Sequence, residues 1–194
     1  MRIGITINGV LRDTLQKVIS TYNRYNETEL KVEELESLNL LECLNFETEE
    51  ELLEWMYVEC PMEIFGNGVA LSDNIFNTLN TFYKDFRDEH ELVILSEEIE
   101  KSKSATLFFL AKYGCLIDNI KFFGLNSFYN KAWEDIDVLL TTDSQLLLQK
   151  PDNKKSIKIE NRFNKEINSD FTISELEQIF DLSIFKNEKE EITE

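Results

Sequence analysis

The sequence predicts an α/β fold on a parallel sheet, and three observations carry that expectation. Short apolar runs at 2–7, 91–96, 119–123, 137–140 and 156–159 have the length of strands. Stretches with apolar residues at helical spacing lie between them. A glutamate-rich block without a strand pattern, 26–75, interrupts the alternation once. Strands alternating with helices form βαβ units, whose strands run parallel. The 194 residues suffice for one such domain and a small insertion. The expected division is an α/β core of 1–25 and 76–180, a helical insertion of 26–75 and an acidic tail of 181–194.

Each element has a local reason. Ile3, Ile5 and Ile7 alternate with other residues and read as a strand. Leu15, Val18, Ile19 and Tyr22 form one stripe of a helix from Thr14 to Tyr25, with Asp13 or Thr14 at its start. VEELESLNLLECLNF and ETEEELLEWMYVEC read as amphipathic helices with acidic outer faces, and Trp55, Met56 and Tyr57 are expected to pack within the insertion or against the core. Ser72 or Asp73 is expected to cap a helix to Phe86, whose buried stripe is Ile75, Phe76, Leu79, Phe82 and Tyr83. ELVILS is a buried strand. Residues 101–113 form a helix closed by Gly114. NIKFF, DVLL and SIKI are strands. Ser144 to Gln149 is a short helix and Ile173 to Phe180 another. The pairs Phe108–Phe109 and Phe122–Phe123 are expected in the core.

Composition removes several functions. Fourteen Phe against six Gly and two Pro describe a globular chain with a real core. No stretch reaches the roughly 18 apolar residues of a membrane span, and strand residues follow Met1 too closely for a signal peptide. A net charge of −18 opposes binding to nucleic acid or to an anionic membrane. Cys43, Cys60 and Cys115 are odd in number and widely spaced. With the lone His90 they make no metal site, so reduced thiols in a cytoplasmic compartment are expected. Lys150, Lys154, Lys155, Lys158, Arg162 and Lys165 form a local basic face, expected to pair with the chain's own acidic insertion.

Ligands of parallel α/β sheets bind at the carboxyl ends of the strands. Thr6 to Gly9, Ser96 and Thr141 to Asp143 are those ends here, and they offer hydroxyls and amides rather than carboxylates.

The same segments resemble the motifs of the haloacid dehalogenase (HAD) superfamily, in its deoxyribonucleotidase-like branch, phage members included. GITINGVLRDT resembles the first motif, normally Asp-x-Asp-Gly-Val-Leu. ELVILS resembles the second, which puts Ser96 in the role of holding a phosphoryl group. Lys131 fits the third-motif lysine that neutralises phosphate, and DVLLTTDSQLL resembles the fourth, normally Asp-Val-Leu-Ile-Asp-Asp. IKIENRFNKE resembles the family's closing strand and loop. The resemblance implies a HAD-like Rossmannoid core of three layers, with a small helical cap inserted after the first helix.

The departures concern chemistry. In the family the first aspartate attacks phosphorus and the second transfers protons; here they are Thr6 and Asn8. The fourth-motif aspartates hold Mg²⁺, which prefers charged oxygen ligands; here they are Thr141 and Thr142. The joint loss implies a pseudoenzyme that needs no cofactor and acts through a protein partner. An accessory or structural role follows, in the cytoplasm, or in host cytoplasm or virion if the chain is viral. Two other readings stay open. One is an active Mg²⁺-dependent deoxyribonucleotidase-like phosphatase with relocated acids, drawn from Asp13, Asp137 or Asp143. The other is a binder of nucleotide or phosphate without turnover, through Ser96 and Lys131. Against the rescue role, Asp13 and Asp143 both suit helix caps.

Overall fold

In a computed structural model, residues 1–125 and 127–186 are described. Six strands form one sheet in the order β3-β2-β1-β4-β5-β6, and every pairing is parallel. They are β1 (Arg2–Thr6), β2 (Glu91–Glu97), β3 (Ile120–Phe123), β4 (Val138–Thr141), β5 (Lys155–Ile159) and β6 (Phe171–Ile173). The helices are α1 (Thr14–Asn26), α2 (Leu40–Cys43), α3 (Glu49–Glu54), α4 (Ile75–Phe86), α5 (Glu100–Lys112), α6 (Phe128–Lys131) and α7 (Ser144–Leu148).

The order follows from where the apolar faces lie. Ile3 and Ile5 point to one face of the sheet, which α4, α5 and the segment 176–185 cover with Phe76, Leu79, Phe82, Phe109, Ile179 and Phe185. Val93, Leu95 and Leu139 point to the other face, under Phe128, Trp133, Ile136 and Leu146. Helical layers on both sides of a parallel sheet bury its central strands, so β1, β2 and β4 carry near-continuous apolar runs. On the second face β1 carries Gly4. A Cβ there would lie 3.0 Å from Leu95 Cδ1 and 3.1 Å from Ile136 Cγ2, so the close packing of that layer needs the missing side chain.

A third apolar cluster joins the cap to the core. Val18, Ile19 and Tyr22 of α1 pack with Leu52, Trp55, Met56, Tyr57, Ile64 and Phe65 of the insertion and with Ala105 of α5. Trp55, Met56 and Tyr57, expected to pack within the cap or against the core, are all buried between the two. The insertion is helical, as its composition predicts, but its first half is broken. A 3₁₀ turn, Val32–Glu34, and the four-residue α2 stand in place of one amphipathic helix. Leu35 is extended between them, and the Ser37 hydroxyl accepts from the Asn39 N–H, a local bond that competes with helix. Downstream, α3 runs into two π-helical turns, Trp55–Glu59 and Met62–Gly66.

Other boundaries also differ from the sequence expectation. Residues 173–180 are not one helix: β6 ends at Ile173 and a 3₁₀ helix, Leu176–Asp181, follows. The period-two signal of β6 is only three residues long and lies beside the helix-like spacing of Leu176, Ile179 and Phe180. Asn74, not Ser72 or Asp73, precedes α4, and its side chain makes no capping bond. Phe108 faces solvent, because Phe109 alone takes the inward position of its helical pair, and Phe122 and Phe123 are both half-buried, on the strand at the edge of the sheet. The segment 181–186, expected to begin the acidic tail, packs on the core instead: Phe185 is buried against Phe82 and Phe86. The rest of that expected tail, 187–194, lies outside the described residues. Gly114 ends α5 as expected, at φ +66°, where a side chain would be strained. The three cysteines are free thiols.

Candidate functional site

β1 and β4 are neighbours on which the chain turns in opposite directions, since β2 and β3 extend one side of β1 and β5 and β6 extend beyond β4. Ligand crevices of parallel sheets open at such a switch point, beyond the carboxyl ends of the strands. Thr6 ends β1 and Thr141 ends β4, and both are buried. The Thr6 hydroxyl donates to the Thr141 hydroxyl at 3.0 Å, and Thr141 Oγ1 also accepts the Asp143 N–H at 3.0 Å. The first- and fourth-motif positions therefore meet, as the sequence implies, but they meet as two neutral hydroxyls bonded to each other.

Gly9 and Thr142 complete this contact. Gly9 has φ +76°, and a Cβ on it would lie 2.3 Å from Thr142 Oγ1. The loop after β1 thus sits directly on the loop after β4. The 160–167 segment holds the other side: buried Asn164 donates to the carbonyls of Thr142 and Ile159, each at 2.9 Å.

Asn8 is half-buried at the edge of the site, and its side-chain oxygen is engaged within the fold. Its Oδ1 accepts Arg12 Nη2 at 2.7 Å, Arg12 Nε at 3.2 Å and the Thr14 hydroxyl at 2.7 Å. Arg12 is completely buried. Its guanidinium also donates to the Thr106 hydroxyl (2.7 Å), to the Phe65 carbonyl of the cap (3.1 Å) and to Glu98 Oε1 (3.1 Å), and it lies over the Phe65 and Phe109 rings. Glu98 is equally buried, and its Oε1 accepts the hydroxyls of Ser96 (3.0 Å) and Thr106 (2.5 Å) as well. Burial pulls Arg12 below the ordinary arginine value, and the charge of Glu98 offsets part of that.

This ion pair is the feature that sequence reading missed. Arg12 follows an apolar Gly-Val-Leu and Glu98 follows an apolar strand, so a charge inside a hydrophobic run is the only signal of either. The pairing itself, across 86 positions, leaves no local pattern. The pair also decides what happens to Ser96. Its hydroxyl is spent on Glu98, in the position where the resemblance calls for a phosphoryl group. Lys131 ends α6 with an exposed side chain, and it is not among the residues that line the cleft.

The rescue acids resolve in the same way. Asp13 caps α1, accepting the Gln16 N–H at 3.1 Å, and Asp143 caps α7 through the N–H groups of Gln145 (2.8 Å) and Leu146 (3.0 Å). Asp137 precedes β4 at the amino end of the sheet, where its carboxylate accepts the Arg2 N–H at 2.7 Å. It is at the wrong end of the strands for the site. One acidic cluster does stand at the strand ends. Tyr129 donates to Asp143 Oδ2 at 3.1 Å, and Glu97, at the end of β2, is pushed up to about 7 by burial and by the charges of Asp143 and Glu98. Burial, Asp143 and Glu97 also push Tyr129 far above the usual phenol range.

Between cap and strand ends lies a cleft of about 560 Å³. Leu15, Leu38, Leu71 and Phe163 give it apolar walls. Asp13, Asp143 and Glu160 lie along it against one cation, Arg162. Arg162 is turned to the cap, donating to the carbonyls of Val32 and of Glu33, the latter at 2.7 Å. Most of the expected basic face, though not exposed Lys165, is likewise engaged within the chain. Lys155 pairs with Asp170 at 2.9 Å, Lys154 donates to the Trp133 and Glu134 carbonyls, and buried Lys158 donates to the Ile167 carbonyl at 2.9 Å. Among the described residues, Arg162 is the one of them that bonds to the cap, and it reaches backbone carbonyls rather than acidic side chains.

The residues at the metal position do not fit Mg²⁺. Thr6, Thr141 and Thr142 offer neutral oxygens, the Asn8 carbonyl is saturated by three donors, and a hard divalent cation needs charged oxygens to displace its water. No group of three His, Cys, Asp or Glu able to hold a metal occurs among the described residues.

No protein-family model matches the sequence, and no curated protein matches it. Solved structures do match. A dehalogenase is 13% identical, with 96% of this chain and 97% of that one covered at a TM-score of 0.58. A haloacid dehalogenase-like hydrolase from Burkholderia xenovorans is 11% identical, with 94% and 96% covered at 0.57. A HAD-superfamily hydrolase of subfamily IA from Geobacter sulfurreducens is 11% identical, with 93% and 94% covered at 0.54. The chain therefore has the α/β Rossmannoid fold of the haloacid dehalogenase-like hydrolases, with a small helical cap after the first helix. No helix among the described residues is long and apolar enough to cross a membrane.

Proposed function

We propose that this chain is a non-catalytic member of the HAD superfamily, derived from its deoxyribonucleotidase-like branch, that works by binding another protein. The observation that carries the reading is the Thr6–Thr141 hydrogen bond at the switch point. A nucleophile there needs charge or an adjacent base, and Thr6 has a neutral hydroxyl as its partner. A proton-transferring group needs a titratable atom, and the Asn8 amide has none near neutral pH. The acidic lining of the cleft adds to this, since three carboxylates repel a phosphate dianion. A phage-type origin would place the protein in host cytoplasm or in the virion.

Purified protein with Mg²⁺ and a panel of deoxynucleoside monophosphates is expected to release no phosphate above background. Turnover that disappears in Asp143→Asn or Glu97→Gln would overturn the proposal. Those two residues define the second reading, a phosphatase with relocated acids. The Glu97 carboxyl, pushed up to about 7 beside Asp143, is the observation that favours it, because a group titrating near neutrality suits acid–base exchange. Binding without turnover has its own readout. A nucleotide that binds the native state must raise the melting temperature, and a flat response across the panel removes that reading.

A further inference from the structure

The outer side of α5 is unusual for so acidic a chain. Leu107 and Phe108 are 45% and 47% exposed on it, with exposed Lys103 one turn before Leu107 and exposed Lys101 two turns before Phe108. The spacing 103–107 sets Lys103 beside Leu107 and the spacing 101–108 sets Lys101 beside Phe108, so the two lysines flank the apolar pair on opposite edges of the exposed face. Met62, 44% exposed, flanks the helix beside Gly66. Next to the stripe, the cap presents a groove of about 470 Å³ with Leu53, Val58 and Ile99 as its apolar floor and Glu49, Glu50 and Glu54 on its rim. Among the described residues, neither the two lysines nor the three glutamates make an ion pair within the chain. One surface is apolar with unpaired cations, and its neighbour is apolar with unpaired anions.

We infer that a second copy of this chain docks here, with Leu107 and Phe108 of each copy entering the Leu53–Val58–Ile99 groove of the other. The occupant follows from charge complementarity. The surface that matches an acidic apolar groove is a lysine-flanked apolar helix face, and this chain carries one at the groove's edge. Ile99 lines the groove and directly precedes α5, so the two surfaces are contiguous. A two-fold axis between them makes both contacts at once and closes the assembly at two copies. The inference goes beyond the proposed loss of catalysis and is independent of it, since neither surface includes a strand-end residue.

The test is sedimentation of the whole protein over a concentration series up to about 100 µM, where a micromolar interface is mostly occupied. The wild type is expected to be a dimer there and to dissociate more readily in about 1 M salt, which screens charges beyond roughly 3 Å. Phe108→Asp, an exposed position, is expected to raise the dissociation constant at least about tenfold. A charge exchange makes the result specific. Lys101→Glu with Lys103→Glu in one preparation, and Glu49→Lys with Glu50→Lys in another, should each be monomeric. Mixed, they should restore the dimer. A wild type that stays monomeric, a dimer indifferent to Phe108→Asp, or charge variants that fail to pair on mixing while remaining folded by circular dichroism would each overturn the inference.

Discussion

Removing Glu98 should destabilise the protein far more than removing the whole Arg12–Glu98 pair. Both side chains are fully buried, and the Glu98 carboxylate is the only acid in ion-pair contact with the Arg12 guanidinium among the described residues. In Glu98→Ala the cation keeps its bonds to Asn8, Thr106 and Phe65 but has no counter-charge, and the hydroxyl of Ser96 loses its acceptor. Breaking a buried pair on one side costs about 3–5 kcal/mol. Arg12→Met should cost a similar amount, because it strands the carboxylate, whose Oε2 already lacks a partner. The double variant Arg12→Met with Glu98→Leu removes both charges together. Replacing a whole buried pair by apolar residues of similar volume is often neutral or better, so the double variant should be more stable than either single variant. Urea unfolding with linear extrapolation measures all three. Additivity within about 0.5 kcal/mol would refute the view that the two charges stabilise mainly each other. Arg12 also ties the core to the cap through the Phe65 carbonyl. Hydrogen exchange in 62–66 should therefore quicken in Arg12→Met while the amides of β1 stay protected.

Three further outcomes follow. Gly9→Ala should cost roughly 1–3 kcal/mol from its positive φ, and more from the clash with Thr142 Oγ1; Thr142→Ala should recover the steric part in thermal melts and leave the backbone part. Glu97 is pushed up to about 7 in the folded chain, chiefly by burial. Its folded form therefore holds a proton more tightly than the unfolded form, and stability is lost as pH rises from about 4.5 through 7. Glu97→Gln should then be more stable than wild type at pH 8 by about 1–2 kcal/mol, after allowance for solvent screening, with the gain vanishing near pH 4 in denaturation curves. Finally, Thr6→Asp, Asn8→Asp, Thr141→Asp and Thr142→Asp together should fail to create phosphatase activity. The carboxylate introduced at position 8 would be drawn to the Arg12 guanidinium, which already holds that side chain at 2.7 Å. Calorimetry with Mg²⁺ and a phosphate-release assay check this, and turnover in the four-fold variant would show that Arg12 does not block the site.

Much of the frame was legible in the sequence because its signals are local. The run of Ile3, Ile5 and Ile7, the ELVILS strand and the α4 stripe each follow from spacing within one segment, and their apolar residues are buried as that spacing requires, Tyr83 only in part. The cap was legible as helical from composition, and its broken first half was not, because Ser37 and Asn39 redirect the backbone through a bond of only two residues' span. β6 was missed for a related reason: three residues are too few to show a period. At the site, Thr6, Asn8, Thr141 and Thr142 could be placed from motif order. Lys131 could not, since its exposure depends on how α6 packs through Phe128 on the sheet.

The sequence by itself determined that no carboxylate stands at the ends of β1 and β4, because residue identity at a strand end needs only a strand boundary. It also determined the parallel α/β class, through the alternation of short apolar runs and amphipathic stretches. Only the tertiary structure decided what fills the place of the missing chemistry. Arg12, Glu98, Ser96 and Thr106 come from three elements, and burial makes their mutual hydrogen bonds obligatory. A charge buried without water must find its partner inside the fold, and the partner's position is set by how β1, β2 and α5 pack rather than by any pattern along the chain.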